Sequence, residues 1–220
     1  MDILDCHTHR LDAKAALISV DPRQFDPRPS LWYSVGYHPW NDIGALTAAD
    51  FDLLERCASH PQVLAIGETG MDSLRGGDLD TQEVVFVRHL KLAHALGKPV
   101  VVHNVRCAQR ILAARHRSGL DDVPLAIHGM RSNERVARTL LDAGCYLSFG
   151  TRFNPTALRS TPLDRLLIET DEAPVTIQEV ADAIAATLQL TRQLVTTICA
   201  TNLQRLLQHP HPIIKQQEQR

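Results

Sequence analysis

Short, strongly apolar runs recur along this chain, each trailed by a stretch of helical periodicity, and most of them stop at a histidine or a carboxylate. Val63-Leu64-Ala65-Ile66, Pro99-Val100-Val101-Val102 and Leu166-Leu167-Ile168 leave no room for a polar face. Strands covered on both sides belong to parallel sheets, whose crossover helices pack against them. The series reads as eight strands, at residues 3–9, 15–20, 32–36, 63–66, 99–102, 124–127, 145–149 and 166–168. Helices are expected at 48–59, 80–96, 108–117, 133–143, 177–188, 192–197 and 202–207. In the second of these, Val84, Val87, Leu90 and Leu92 are the expected inward side. Eight such strands favour a single α/β domain of the (β/α)8 TIM type over an open doubly wound sheet. The first strand also lacks the glycine-rich phosphate loop that a dinucleotide-binding sheet carries. Only a few residues separate the first two strands, and little chain lies between Phe149 and Leu166, so the barrel is trimmed, with its first helix missing or very short.

At 220 residues and 24.5 kDa the chain is long enough for one core, burying about 70% of the surface its unfolded form exposes. The barrel is assigned to residues 1–211 and a polar tail to 212–220. A formal net charge of -2 excludes a broadly basic nucleic-acid coat but leaves room for a local cationic pocket. Asp2 and Asp5 stand where a secretory signal has positive charge, and no run is of membrane-spanning length, so a soluble, cytoplasmic protein without a membrane partner is expected. Cys6, Cys57, Cys107, Cys145 and Cys199 are scattered among apolar neighbours and form neither a disulfide framework nor a cysteine metal motif.

Alternation along the first strand puts His7 and His9 on one face, where they can hold one metal ion. Glu68, His103, His128 and Asp171 fall at or just beyond the ends of later strands. Each alone has an ordinary explanation, as a hydrogen-bonded barrel histidine or a capping carboxylate. Six metal-competent side chains at one rim do not, because ligands and chemistry sit at the C-terminal end of a barrel's strands. Neutral imidazoles bind a borderline-soft cation, and carboxylates neutralise its charge and can bridge two ions. Three or more imidazoles suit Zn or Mn, with Fe, Co or a weakly held Mg as alternatives.

Several stretches carry a family likeness: Asp5-Cys6-His7-Thr8-His9, Val35-Gly36-Tyr37-His38-Pro39, Ile66-Gly67-Glu68-Thr69-Gly70-Met71-Asp72 and Lys98-Pro99-Val100-Val101-Val102-His103. Gln82, Leu90 and Ala93 in the preceding helix, Leu166-Leu167-Ile168-Glu169-Thr170-Asp171 and Asn202 extend it over nearly the whole chain. In these the chain resembles the TatD-like metal-dependent hydrolases, a branch of the amidohydrolase-like barrels. The resemblance implies that His7 and His9 hold one metal with Asp171, that His103 and His128 hold the other, and that Glu68 bridges both. On the leading reading of the site Glu68 and Asp171 are the catalytic carboxylates, Asp171 acting as general base. Family members characterised as enzymes are mostly deoxyribonucleases that trim DNA from the 3′ end. The chain departs from the commonest family form at Asn104-Val105-Arg106, at Gly129-Met130-Arg131 and at Glu172-Ala173-Pro174, as in a compact subgroup among bacterial members. These departures bear on DNA specificity rather than on the metals.

Arg106 and Arg131 each lie three residues beyond an expected ligand and are candidates to clamp a phosphate. Arg75 and Arg152, from neighbouring rim loops, are weaker candidates, and His38, also at a strand end, is either a substrate contact, which the resemblance supports, or a group hydrogen-bonded behind the metal ligands. The expected function is a two-metal phosphodiesterase of the 3′-5′ exodeoxyribonuclease type, a monomer acting on single-stranded DNA or a small molecule. Its alternatives are an amidase, lactonase or deacylase, and a non-catalytic metal-binding or nucleic-acid-binding module.

Overall fold

The apolar runs become strands that pair strictly in sequence order until the last returns to the first. In the computed structural model, which describes residues 3–208, the parallel strands are β1 (Asp5–Thr8), β2 (Ala16–Val20), β3 (Trp32–Val35), β4 (Val63–Asp72), β5 (Val100–Val105), β6 (Leu125–Ile127), β7 (Tyr146–Phe149) and β8 (Leu166–Ile168). Asp5 pairs with Ile168 to close the barrel. The tail expected at 212–220 lies outside the described residues.

Both faces of the strands are covered, as their composition requires. Ile18, Ile66, Val102, Ile127 and Ile168 join the main core with helix residues Leu54, Phe86, Leu90, Ile111 and Ile184, while Leu17, Ala65 and Val101 form a separate apolar cluster. The helices are α1 (Ala48–Ala58), α2 (Leu79–Leu96), α3 (Ala108–Arg117), α4 (Glu134–Asp142), α5 (Pro155–Arg159), α6 (Ile177–Leu188) and α7 (Arg192–Leu207). No helix separates β1 from β2, as expected, and only a 3-10 turn at Pro22–Gln24 separates β2 from β3. Two successive crossovers therefore leave that side of the rim to loops. No helix among the described residues is long and apolar enough to cross a membrane.

Three expectations need correction. The fourth strand does not stop at Ile66 but runs on to Asp72, with Gly70 pairing opposite His103, so Glu68 stands inside a strand rather than after it. Gly70 has φ +146, and a Cβ there would meet the His103 carbonyl oxygen at 2.1 Å, so only glycine lets β4 and β5 approach so closely. The inward side of α2 is Gln82, Val85, Phe86, His89, Leu90 and Ala93, while Val84 is 60% exposed and Val87 and Leu92 are half-buried. Finally, the two helices expected at 192–197 and 202–207 are one. Thr201 Oγ1 donates to the Thr197 carbonyl at 2.8 Å, and Val195, Cys199, Asn202, Leu203 and Leu206 are buried along the helix. Asn202 Nδ2 donates to the carbonyls of Leu163 and Leu166, fastening α7 to the start of β8.

Candidate metal centre

The strands and the residues just beyond them bring all six expected ligands together around the Glu68 carboxylate, Glu68 and His103 from inside β4 and β5. Its Oε2 lies 3.2 Å from Nε2 of both His7 and His9. Its Oε1 lies 2.9 Å from His103 Nδ1 and 2.7 Å from His128 Nε2. Asp171 Oδ1 is 3.7 Å from His7 Nε2 and 3.8 Å from His9 Nε2. His38, which lines the cavity, stands with its Nε2 3.0 Å from Glu68 Oε1 and 3.2 Å from His103 Nδ1. Three overlapping donor groups result, namely His7-His9-Glu68, His7-His128-Asp171 and His38-Glu68-His103. The division differs from the one the resemblance implies, since His128 also groups with His7 and Asp171, and His38 supplies a donor.

The donor set fits divalent ions. His7 is fully buried, yet neither of its ring nitrogens has a hydrogen-bond partner, and Nε2 is aimed into the cluster without an aligned bond to Glu68. An imidazole buried in that state is costly unless a cation takes its lone pair. Charge follows the same logic. Burial opposes charge on Glu68, but His128, His7 and His103 outweigh it and hold the carboxyl well below its usual range. Burial likewise opposes charge on His128, and Glu68 and Glu169 overcome it, lifting that pKa well above the ordinary value. Burial and the neighbouring His128 push His7 down.

A second layer of carboxylates, which the sequence reading did not assign, stands behind the imidazoles. Asp72 Oδ2 is 3.2 Å from His103 Nε2, and Glu169 Oε1 is 3.6 Å from His128 Nδ1 while accepting the Gly129 N–H at 2.7 Å. The bond to Asp72 fixes which His103 nitrogen faces a metal, whereas His128 Nδ1 has no hydrogen-bond partner among the described residues and meets Glu169 only as a nearby charge. Asp5 accepts bonds from Thr170 N and Oγ1, tying β1 to the end of β8 two residues from His7, and burial pushes its carboxyl up to about 7. For Glu169 the available signal was position, two residues before Asp171 and directly after the apolar run of β8; Asp72 had none, because the reach of β4 to it is not visible in the sequence.

The cluster opens into a cavity of about 700 Å³ lined by Glu68, His38, His103, Trp40, Arg23 and Asp171, among others. A second cavity of about 470 Å³ lies on the other side of Asp171 and contains Arg131 and Arg152. Arg131 Nη2 is 3.8 Å from Asp171 Oδ2. Arg75 stacks over Trp40, 4.7 Å from the ring centroid. Arg106 is exposed and lines neither cavity.

A closed parallel barrel with histidines and carboxylates converging at the C-terminal ends of its strands defines the class of amidohydrolase-like TIM barrels. Residues 23–208 match the family described as TatD related DNase, and the chain belongs to that family. It is 37% identical over 154 residues to an uncharacterized metal-dependent hydrolase, TatD, of Mycobacterium tuberculosis, covering 64% of this chain and 58% of that one. It is 36% identical over 156 residues to a protein of Cronobacter turicensis named 3′-5′ ssDNA/RNA exonuclease TatD, covering 64% and 56%. The chain thus spans little more than half the length of these relatives. The crystal structure of YjjV, a TatD homologue from Escherichia coli, superposes with a TM-score of 0.81 at 18% identity, covering 95% of this chain and 99% of that one, which is a likeness of fold.

Proposed function

We propose that this chain is a two-metal phosphodiesterase that shortens single-stranded DNA from its 3′ end. The observation that carries the reading is the division of one carboxylate: Glu68 turns Oε2 to His7 and His9 and Oε1 to His38, His103 and His128. A carboxylate so placed would hold two ions between the two sets of histidines, and the imidazole-rich donor set suits Zn, Mn, Fe or Co better than Mg, with Zn or Mn expected first. Divalent ions bound there supply Lewis acidity toward a phosphoryl oxygen and lower the pKa of water.

The protein's own groups divide the remaining work. Asp171, with a quarter of its side chain exposed, is the general base at the cavity edge. His7, His103 and His128 are buried, and Asp72 holds the His103 ring from behind. Arg131, beside Asp171, offsets the negative charge that grows on the phosphoryl oxygens during attack. All donors come from one chain, so a monomer suffices. The name of the Cronobacter relative supports a single-stranded nucleic acid as substrate, RNA included.

End-labelled single-stranded DNA and RNA, run beside an ester and amide panel with Zn, Mn and Mg, test this. The expected result is metal-dependent shortening from the 3′ end that chelation abolishes. Intact nucleic acid beside rapid carbonyl turnover would instead assign an amidase, lactonase or deacylase to the same cluster.

A further inference from the structure

Trp40 is a large aromatic side chain that the barrel leaves 46% exposed, at the edge of a cluster of charge. It lines the main cavity together with Glu68, His38 and His103. Its Nε1–H donates to Asp72 Oδ2 at 2.6 Å. Its ring meets those of His38 and His103 edge-on, with centroids 4.8 and 5.3 Å apart, and the Arg75 guanidinium lies over it. An indole pinned on so many sides loses no further freedom when something stacks on it. Leu11, 53% exposed, lines the same cavity from the loop after β1. The rest of that end is polar, with Gln24, Asn41 and Asp42 available to the edge of a flat heterocycle.

We infer that Trp40 is a stacking platform for the nucleobase next to the reacting bond, with Arg75, which lies over the ring, adding positive charge. The inference rests on the phosphodiesterase reading and deepens it, because it says which part of the substrate lies on the β3 side of the metals. A platform of this kind takes any base, since each presents a π face. It gives no grip to a sugar phosphate without a base.

Two measurements test this separately from turnover as such. Trp32, the other tryptophan, starts β3, packs against the Leu17, Ala65 and Val101 cluster and does not line the cavity, so Trp32→Phe leaves Trp40 as the sole indole reporter. Titration with deoxyadenosine 5′-monophosphate should then quench its fluorescence, while 2-deoxyribose 5-phosphate should not. Equal responses to both, or none to either, would overturn the inference even if DNA is hydrolysed. Quenching by the nucleotide alone, in a protein that cleaves no phosphodiester, would uphold base binding while removing the nuclease reading.

The second measurement compares KM for oligonucleotides with a natural and an abasic 3′-terminal residue. Trp40→Ala should collapse the preference for the natural base by about 5- to 150-fold. Trp40→Phe keeps a ring but loses the N–H to Asp72, and should restore most of the preference. A preference untouched by Trp40→Ala would overturn the platform, and one lost equally in both variants would make Trp40 only a support for Asp72.

Discussion

Asp72 Oδ2 lies 3.2 Å from His103 Nε2, and this leaves the opposite ring nitrogen, Nδ1, 2.9 Å from Glu68. The same carboxylate uses Oδ1 to accept the N–H groups of Leu74 and Arg75, so one side chain sets both an imidazole and the loop that follows β4. Asp72→Asn keeps an acceptor for the loop and removes the charge behind the ring. Metal affinity should fall by about 10- to 100-fold, as for other groups behind a ligating imidazole, with folding retained. Metal titration followed by circular dichroism checks both parts.

Glu68→Ala should lose more bound metal than Arg106→Ala. The first removes a carboxylate shared between two sets of histidines; the second removes an exposed cation outside the cavities. Elemental analysis of the purified variants decides, and equal metal content in the two would take the bridging role from Glu68.

The two arginines that the sequence treats alike should now separate. Arg131→Ala, at verified metal content, should slow phosphodiester cleavage by about a hundredfold, the usual scale for losing a charge-assisted contact to the transition state. Arg106→Ala should change it no more than a few-fold. The reverse order would falsify the placement of the phosphate beside Asp171.

His89 should make the fold sensitive to mild acid. Its Nε2 accepts the Tyr37 N–H at 3.0 Å and its Nδ1–H donates to Val85 O at 2.8 Å, an arrangement open only to the neutral ring. Burial pushes its pKa from 6.5 down to about 4. Between those values the unfolded chain binds a proton that the folded chain refuses. The contribution is therefore full above pH 6.5 and is lost as the pH falls toward 4. The loss is on the order of 3 kcal/mol. Thermal unfolding of His89→Gln should decline less steeply across this range than that of the natural protein, whatever its stability at neutral pH. Parallel curves would show that His89 does not set the slope.

Strands β6 and β8 were legible because a parallel strand buried on both faces has an unbroken apolar run and an abrupt end, and His128 and Asp171 stand at or near those ends. Strand β5 instead runs past its apolar stretch to Val105, pairing with the extended β4, so His103 lies inside it rather than at the end expected at Val102. The extent of β4 was not legible, since Gly67 and Gly70 interrupt the apolar run while serving close backbone approach. The buried face of α2 was misread because two of its members are polar. Gln82 bonds to the backbone of Asp72, and His89 to that of Tyr37, and neither tie has a hydrophobic signature. Long-range geometry accounts for the rest: nothing local in the sequence says that His38 reaches Glu68, 30 residues on, or that Arg106 stays outside.

Thr8 and Asp171 meet across the seam where β1 joins the end of β8, and Thr170 reaches Asp5, 165 positions away. On the ribosome, His7, His9 and Glu68 are made long before the segment that completes their surroundings. Until β8 docks, no closed ring exists to hold the first strand against the last, and the longest loop closure is the one on which the site depends. An unfinished copy of this protein therefore has the first ligands but not the centre, and assembly of the centre reports that the ring has closed.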